Sequence, residues 1–169
     1  AVPNRIVVSP MCQYSATDGT MSDWHIMHLG QFAVGGAGLI IAEATGVEAA
    51  GRLDRGAHLR HPHAVGGGEG VVDFCRRHGD AKIGVQLSHS GRKGSTREPW
   101  NRGPAFTPAE GGWETFAPSA VAFNQGYTTP RALDGEGLER IKAAFVQATQ
   151  RADRAGFDAA MAQQKAAAR

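Results

Sequence analysis

An α/β fold built on a parallel sheet is predicted by three observations in the 169-residue sequence. Short apolar runs recur near residues 4–11, 38–44 and 81–87. Segments with helical periodicity follow the first two, and the longest such segment follows the third after a long excursion. Glycine stands at 23 positions, about twice its average share, which fits many tight βα turns or loose packing. Repeated strand–helix alternation means parallel strands joined by right-handed crossovers.

Residues 4–11 are β-branched and stopped by Pro10, as a buried strand would be. Ser22 or Asp23 can cap a helix from about Trp24 to Val34, which the run Gly35-Gly36-Ala37-Gly38 ends, because glycine tolerates the left-handed C′ conformation. Gly38-Leu39-Ile40-Ile41-Ala42-Glu43-Ala44 is continuously apolar apart from Glu43, which suits a parallel strand covered on both faces. A polar loop reaches Gly66-Gly67-Gly68, and a short helix is expected over residues 71–78. Residues 81–87 form a third strand of similar character. Residues 90–131 are a Gly/Pro-rich excursion without periodicity, and connections of that length are functional or disordered. The clearest helix begins at Asp134, carries Leu138, Ile141, Phe145, Ala148 and Ala152 on one face, and stops at Gly156. A fourth strand is due at Phe157, yet residues 157–162 lack β-branched side chains and residues 163–169 are helix formers. Residues 1–158 therefore form one unit and residues 159–169 an aberrant Ala/Gln/Lys-rich tail.

A net charge of +2, with both signs interspersed, points to neither a nucleic-acid groove nor a membrane surface. No apolar run approaches the roughly 18 residues of a membrane span, and no signal peptide is evident. Cys12 and Cys75 are the only cysteines and form no CxxC pair, so a cytoplasmic protein without a disulfide framework or structural zinc is expected. His58, His61 and His63 lie in a loop with no fixed acidic partner, and no metal site is expected there. Gly66-Gly67-Gly68-Glu69-Gly70 lacks the Gly-Lys-Ser/Thr ending of a phosphate loop.

Pro10-Met11-Cys12 ends the first strand, Ala44 the second, and Gln86 lies near the end of the third. Ligands in parallel βα architectures sit beyond the carboxyl ends of strands, so a thiol, a turn and an amide meet at one rim. The run from Asn4 through Pro10-Met11-Cys12-Gln13-Tyr14 resembles the first-strand signature of the old yellow enzyme family of NADH:flavin oxidoreductases, in its YqjM-like branch. The resemblance continues through Asp18-Gly19, Trp24-His25, residues 36–44, residues 82–93, residues 117–120 and residues 154–158.

That resemblance implies the first three to four βα units of an FMN-containing (β/α)8 TIM barrel. It further implies an ene-reductase type of oxidoreductase, in which hydride from NADPH or NADH passes through flavin to an activated alkene. Pro10, Met11 and Cys12 would line the flavin, Ala44 and Gln86 would hold its pyrimidine edge, and Cys12 and Tyr14 would carry the catalytic roles, with Tyr14 facing the substrate. Arg92-Lys93 is a candidate substrate or phosphate contact beside the plainer reading of a solvated pair. The family's His-x-x-His-Gly-Tyr stretch would fall on Gln163, Ala166 and Ala168, and strands five to eight would lie beyond Arg169. The alternative is a non-catalytic fragment or interaction module that binds no flavin.

An open half-barrel exposes sheet edges and its inner face, which favours association, as in a homo-oligomer, or disorder, and leaves the monomer marginal. The melting temperature is therefore expected to rise with protein concentration. A sharp, concentration-independent transition of a monodisperse monomer contradicts this.

Overall fold

A computed structural model describes residues 1–17, 19–53, 59–60, 65–101 and 105–158, with the backbone alone at 59–60 and 65–69. The expected tail at 159–169, and the histidines at 58, 61 and 63, lie outside the described residues.

The sheet is organised around one strand, β2 (Leu39–Gly46). Strand β1 (Val7–Val8) pairs parallel with its start, Val7 opposite Leu39 and Val8 opposite Ile40. Strand β3 (Leu59–Arg60) pairs parallel with its end, at Thr45 and Gly46. Strand β4 (Lys82–Ser88) runs parallel along its whole length on the other side. The first strand is shorter than the apolar run 4–11 because Pro10 cannot donate to a ladder. Ile6 still joins the sheet, its carbonyl accepting from the amides of Gly38 and Leu39 at 2.9 and 3.1 Å. At Gly38 a Cβ would lie 2.3 Å from the Asn4 carbonyl oxygen, so only glycine fits this entry into β2.

Helix α1 (Asp23–Val34) begins at Ser22, the first of the two expected caps, and Gly36 turns the chain out of it with φ +83°. Helix α2 (Val65–His78) starts six residues before the expected 71, through the glycine run. Isolated glycines each disfavour helix by about 1 kcal/mol. Here the buried Val71, Val72 and Cys75 dock the following turns, and helical hydrogen bonding propagates backward from them.

The 90–131 excursion is structured over its described residues rather than featureless. Short 3-10 turns lie at Gly91–Lys93 and Pro108–Glu110, and β5 (Phe116–Ala117) pairs parallel with β6 (Arg131–Ala132). Helix α3 (Gly135–Arg154) is capped by Asp134, whose carboxylate accepts from the Gly137 amide at 2.8 Å. Its predicted apolar face is buried only in its second half, at Ala148 and Ala152, whereas Leu138 is 54% exposed. Phe157 and Asp158 then lie against β4: the Asp158 amide donates to the Ile83 carbonyl at 2.7 Å, and the Ile83 amide donates to the Asp158 carboxylate at 2.9 Å. No strand is assigned to these two residues, and the continuation of the expected fourth strand lies outside the described residues.

The core sits between the sheet and the helices. Ile40, Ala42 and Ile83 pack with Leu29 and Ala33 of α1, with Val71, Val72 and Cys75 of α2, and with Ala152 and Phe157. Burial pushes the Cys75 thiol pKa up, keeping it an inert core group. Ile83→Ala should cost about 2–5 kcal/mol in denaturant unfolding, as cavity-forming core changes do. Leu138→Ala should stay within about 0.5 kcal/mol. Equal costs would contradict this division of the apolar face of α3.

Candidate flavin-site rim

Side chains alternate along paired strands, so Ile40 and Ala42 share the helix-packed side with their partners Ile83 and Val85. By strict alternation Ala44 would follow them. The register slips between Ala42 and Ala44 instead, because Glu43 is an extra residue in β2, and Ala44 comes to stand opposite Gln86. This bulge moves Ala44 to the side of Gln86, away from the core. Two residues that are 42 apart in sequence thereby become neighbours at the strand ends, with the small Ala44 buried and Gln86 exposed.

The turn after β1 reaches the same place. The Gln13 amide donates to Glu43 Oε2 at 2.9 Å, joining the residue after Cys12 to the residue before Ala44. Gln13 also braces its own turn: its Nε2 donates to the Met11 carbonyl at 2.8 Å, and its Oε1 accepts from Trp24 Nε1 at 3.0 Å. Pro10 and Cys12 are half-buried and Met11 is exposed. Tyr14 follows with φ +54°, a left-handed conformation that non-glycine residues adopt mainly in turns, and its ring meets Trp100 edge to face at 5.0 Å. Pro10, Met11, Cys12, Ala44 and Gln86 are thus on connected structure, with Tyr14 on the same turn as Cys12.

Sequence reasoning named His25 only within the resemblance and gave Glu43 no part in tying these elements together. Glu43 Oε1 accepts from His25 Nε2 at 2.9 Å, and His25 Nδ1 accepts from the Ser22 amide at 2.9 Å. The available signal was a lone carboxylate inside an apolar strand, which must find partners when buried. Farther along the rim, His89 Nε2 lies 3.0 Å from Glu48 Oε1, and Glu48 also pairs with Arg140 of α3. The segments after β2 and β4 are joined there as well, Ser90 donating through its amide to Gly51 and through Oγ to Arg52, at 2.8 and 2.7 Å. Arg92 donates to the Val121 carbonyl and Ser119 Oγ at 2.8 and 3.0 Å, and the Lys93 ammonium sits 4.5 Å from the Phe123 ring centre. That pair braces the excursion.

The family model for the NADH:flavin oxidoreductase / NADH oxidase family matches residues 1–164. The chain belongs to this family. Among its relatives, an NADH:flavin oxidoreductase of Gibberella zeae is 42% identical over 167 residues, covering 92% of this chain and 39% of the relative. An NADPH dehydrogenase of Geobacillus thermodenitrificans is 39% identical over 158 residues, covering 92% of this chain and 42% of the relative. Morphinone reductase, solved in complex with tetrahydroNAD, superposes with a TM-score of 0.74 at 30% identity, covering 93% of this chain and 44% of that one. The chain spans about two fifths of the length of the curated relatives that it matches. As a member of the flavin oxidoreductase family it presents a partial α/β barrel, and FMN and a reduced nicotinamide are the cofactors of that family. Among the described residues no helix is long and apolar enough to cross a membrane.

His28, next to this rim on α1, has its pKa lowered below the ordinary 6.5, chiefly by burial, with Glu43 opposing and His25 adding to the shift. The folded chain then binds fewer protons than the unfolded chain once pH falls below the ordinary value. Stability should therefore decline as pH is lowered through about 6.5 and level off below the folded pKa. The melting temperature should fall less over this interval in His28→Gln than in the unchanged protein, and identical slopes would contradict the assignment.

Proposed function

We propose that the rim of Cys12, Ala44 and Gln86 holds the polar edge of FMN, in an NAD(P)H-dependent oxidoreductase of ene-reductase type. The observation that supports this most is the pairing of Ala44 with Gln86 across the bulge. It sets an exposed carboxamide, able both to donate and to accept, beside a side chain that is only a methyl group. A flat heteroaromatic edge needs that combination: close approach at one strand end and a two-way hydrogen-bonding group at the next.

Bound FMN would supply hydride transfer from NADPH or NADH to an activated alkene. The chain's own part is to bind and orient. Gln86 hydrogen-bonds the ring's amide-like edge, Ala44 admits it, and the backbone at Pro10 and Met11 walls it. The Cys12 thiol, a weak donor, lies where it tunes the ring's electron affinity, and Tyr14 faces the substrate from the same turn. The electrophile-activating histidines expected of the family have no counterpart at Gln163 and Ala166. That single feature favours the second reading, in which the polypeptide is a non-catalytic module without flavin and residues 159–169 form a separate tail. A cytoplasmic setting, a small-molecule substrate and self-association belong to the first reading.

Fluorescence titration with FMN separates the two. The protein should bind FMN saturably, and Gln86→Leu should weaken binding about tenfold, the scale of one or two lost hydrogen bonds. Cys12→Ala should shift the bound flavin's midpoint potential. Absence of saturable FMN binding would favour the flavin-free module, and binding indifferent to Gln86 would remove this rim from the site.

A further inference from the structure

We infer that Glu43 is the positioning residue of the Cys12 turn, and that His25 holds Glu43 in the arrangement that lets it act. Glu43 and His25 are 4% and 1% exposed, so neither is a solvated surface pair. A carboxylate at such depth is sustained only by donors that meet its oxygens. Here each oxygen has one, His25 Nε2 on Oε1 and the Gln13 amide on Oε2, both at 2.9 Å.

The direction of each bond is fixed. A backbone amide can only donate, so His25 Nδ1, which takes the Ser22 amide, carries no proton. The ring proton is therefore on Nε2 and points at Glu43. A chain of donors thus runs from the Ser22 amide through the imidazole to the carboxylate, and from the other side the Gln13 amide closes on the same group. The start of α1, the end of β2 and the turn after β1 meet at one side chain.

The consequence for the turn follows from peptide geometry. The Gln13 N–H and the Cys12 carbonyl belong to one planar unit, so fixing the amide fixes the plane in which Cys12 ends. The next residue, Tyr14, holds φ +54°, a conformation that persists when its surroundings over-determine it. Glu43 is also the extra residue that brings Ala44 opposite Gln86. The same residue therefore sets both the thiol-bearing turn and the alanine–glutamine pair. Its importance for a cofactor rests on the FMN reading above, whereas its hold on the turn does not.

Glutamine cannot replace it. A carboxamide has one oxygen acceptor, and its NH2 would point a donor at either the His25 N–H or the Gln13 N–H. Amide hydrogen exchange on the 15N-labelled chain tests the role. In Glu43→Gln the Gln13 amide should exchange at least about tenfold faster, the scale of losing one charge-assisted hydrogen bond. The Ile40 and Ile83 amides should keep their protection, and the buried Cys75 should stay unreactive to iodoacetamide, which monitors the global fold.

A second pair of variants covers the event that Glu43→Gln fails to fold. His25→Gln keeps a donor toward Glu43 and should retain Gln13 protection, whereas His25→Leu removes it and should lose protection locally. Unchanged Gln13 exchange in folded Glu43→Gln or His25→Leu overturns the proposal, as does loss of protection spread evenly over the sheet. FMN titration of the same samples is read separately: failure of the unchanged protein to bind FMN counts against the cofactor reading, while Gln13 exchange alone decides the positioning role.

Discussion

The rim depends on one extra residue in one strand. Strand β2 is the common partner of β1, β3 and β4, all parallel to it, so its register decides what every strand end presents. Without the bulge at Glu43, Ala44 would continue the core-facing series of Ile40 and Ala42. With it, Ala44 stands beside Gln86, and the carboxylate of the inserted residue takes the Gln13 amide. A bulge that re-aims side chains next to a functional site is a feature such sites retain.

The same chemical device secures the rim twice. His25 takes a backbone amide on Nδ1 and faces Glu43 through Nε2; His89 takes the Gly91 amide on Nδ1 at 3.1 Å and faces Glu48 through Nε2. Each pair lies toward the carboxyl ends of the strands, one joining β2 to α1 and the other joining the segments after β2 and β4 to α3 through Arg140. A backbone amide at Nδ1 fixes the tautomer and the ring orientation, and the glutamate then has one defined donor. Loops held in this way are ordered by the chain's own side chains.

Much of this was legible in the sequence, for identifiable reasons. Strands β2 and β4 announce themselves as apolar runs because Ile40, Ala42 and Ile83 are buried against the helices, and Ser22 and Asp134 mark helix starts because their side chains favour that position. Of the two-residue strands only β1 was legible, since β3, β5 and β6 exist only through pairing with other segments and leave no periodicity of their own. The glycine-rich start of α2 ran against propensity, and tertiary packing of Val71, Val72 and Cys75 decided it. Leu138 read as core because periodicity reports a face without reporting what covers it. Among the site residues, Cys12, Ala44 and Gln86 were found through a family resemblance that the family model now supports, while Glu43 passed as one charge in a strand. Its role depends on the register slip and on His25, and neither can be counted from spacing.

Family membership and fold rest on matches covering nearly all of this chain, and the proposed flavin rim would join them to a particular set of atoms. The most direct measurement of that connection is an amide chemical-shift map of the 15N-labelled chain as FMN is added. Saturable shifts clustered at Met11, Cys12, Gln13, Ala44 and Gln86 are the predicted result. Shifts confined to α3 and the excursion, or no saturable shifts at all, would contradict the account.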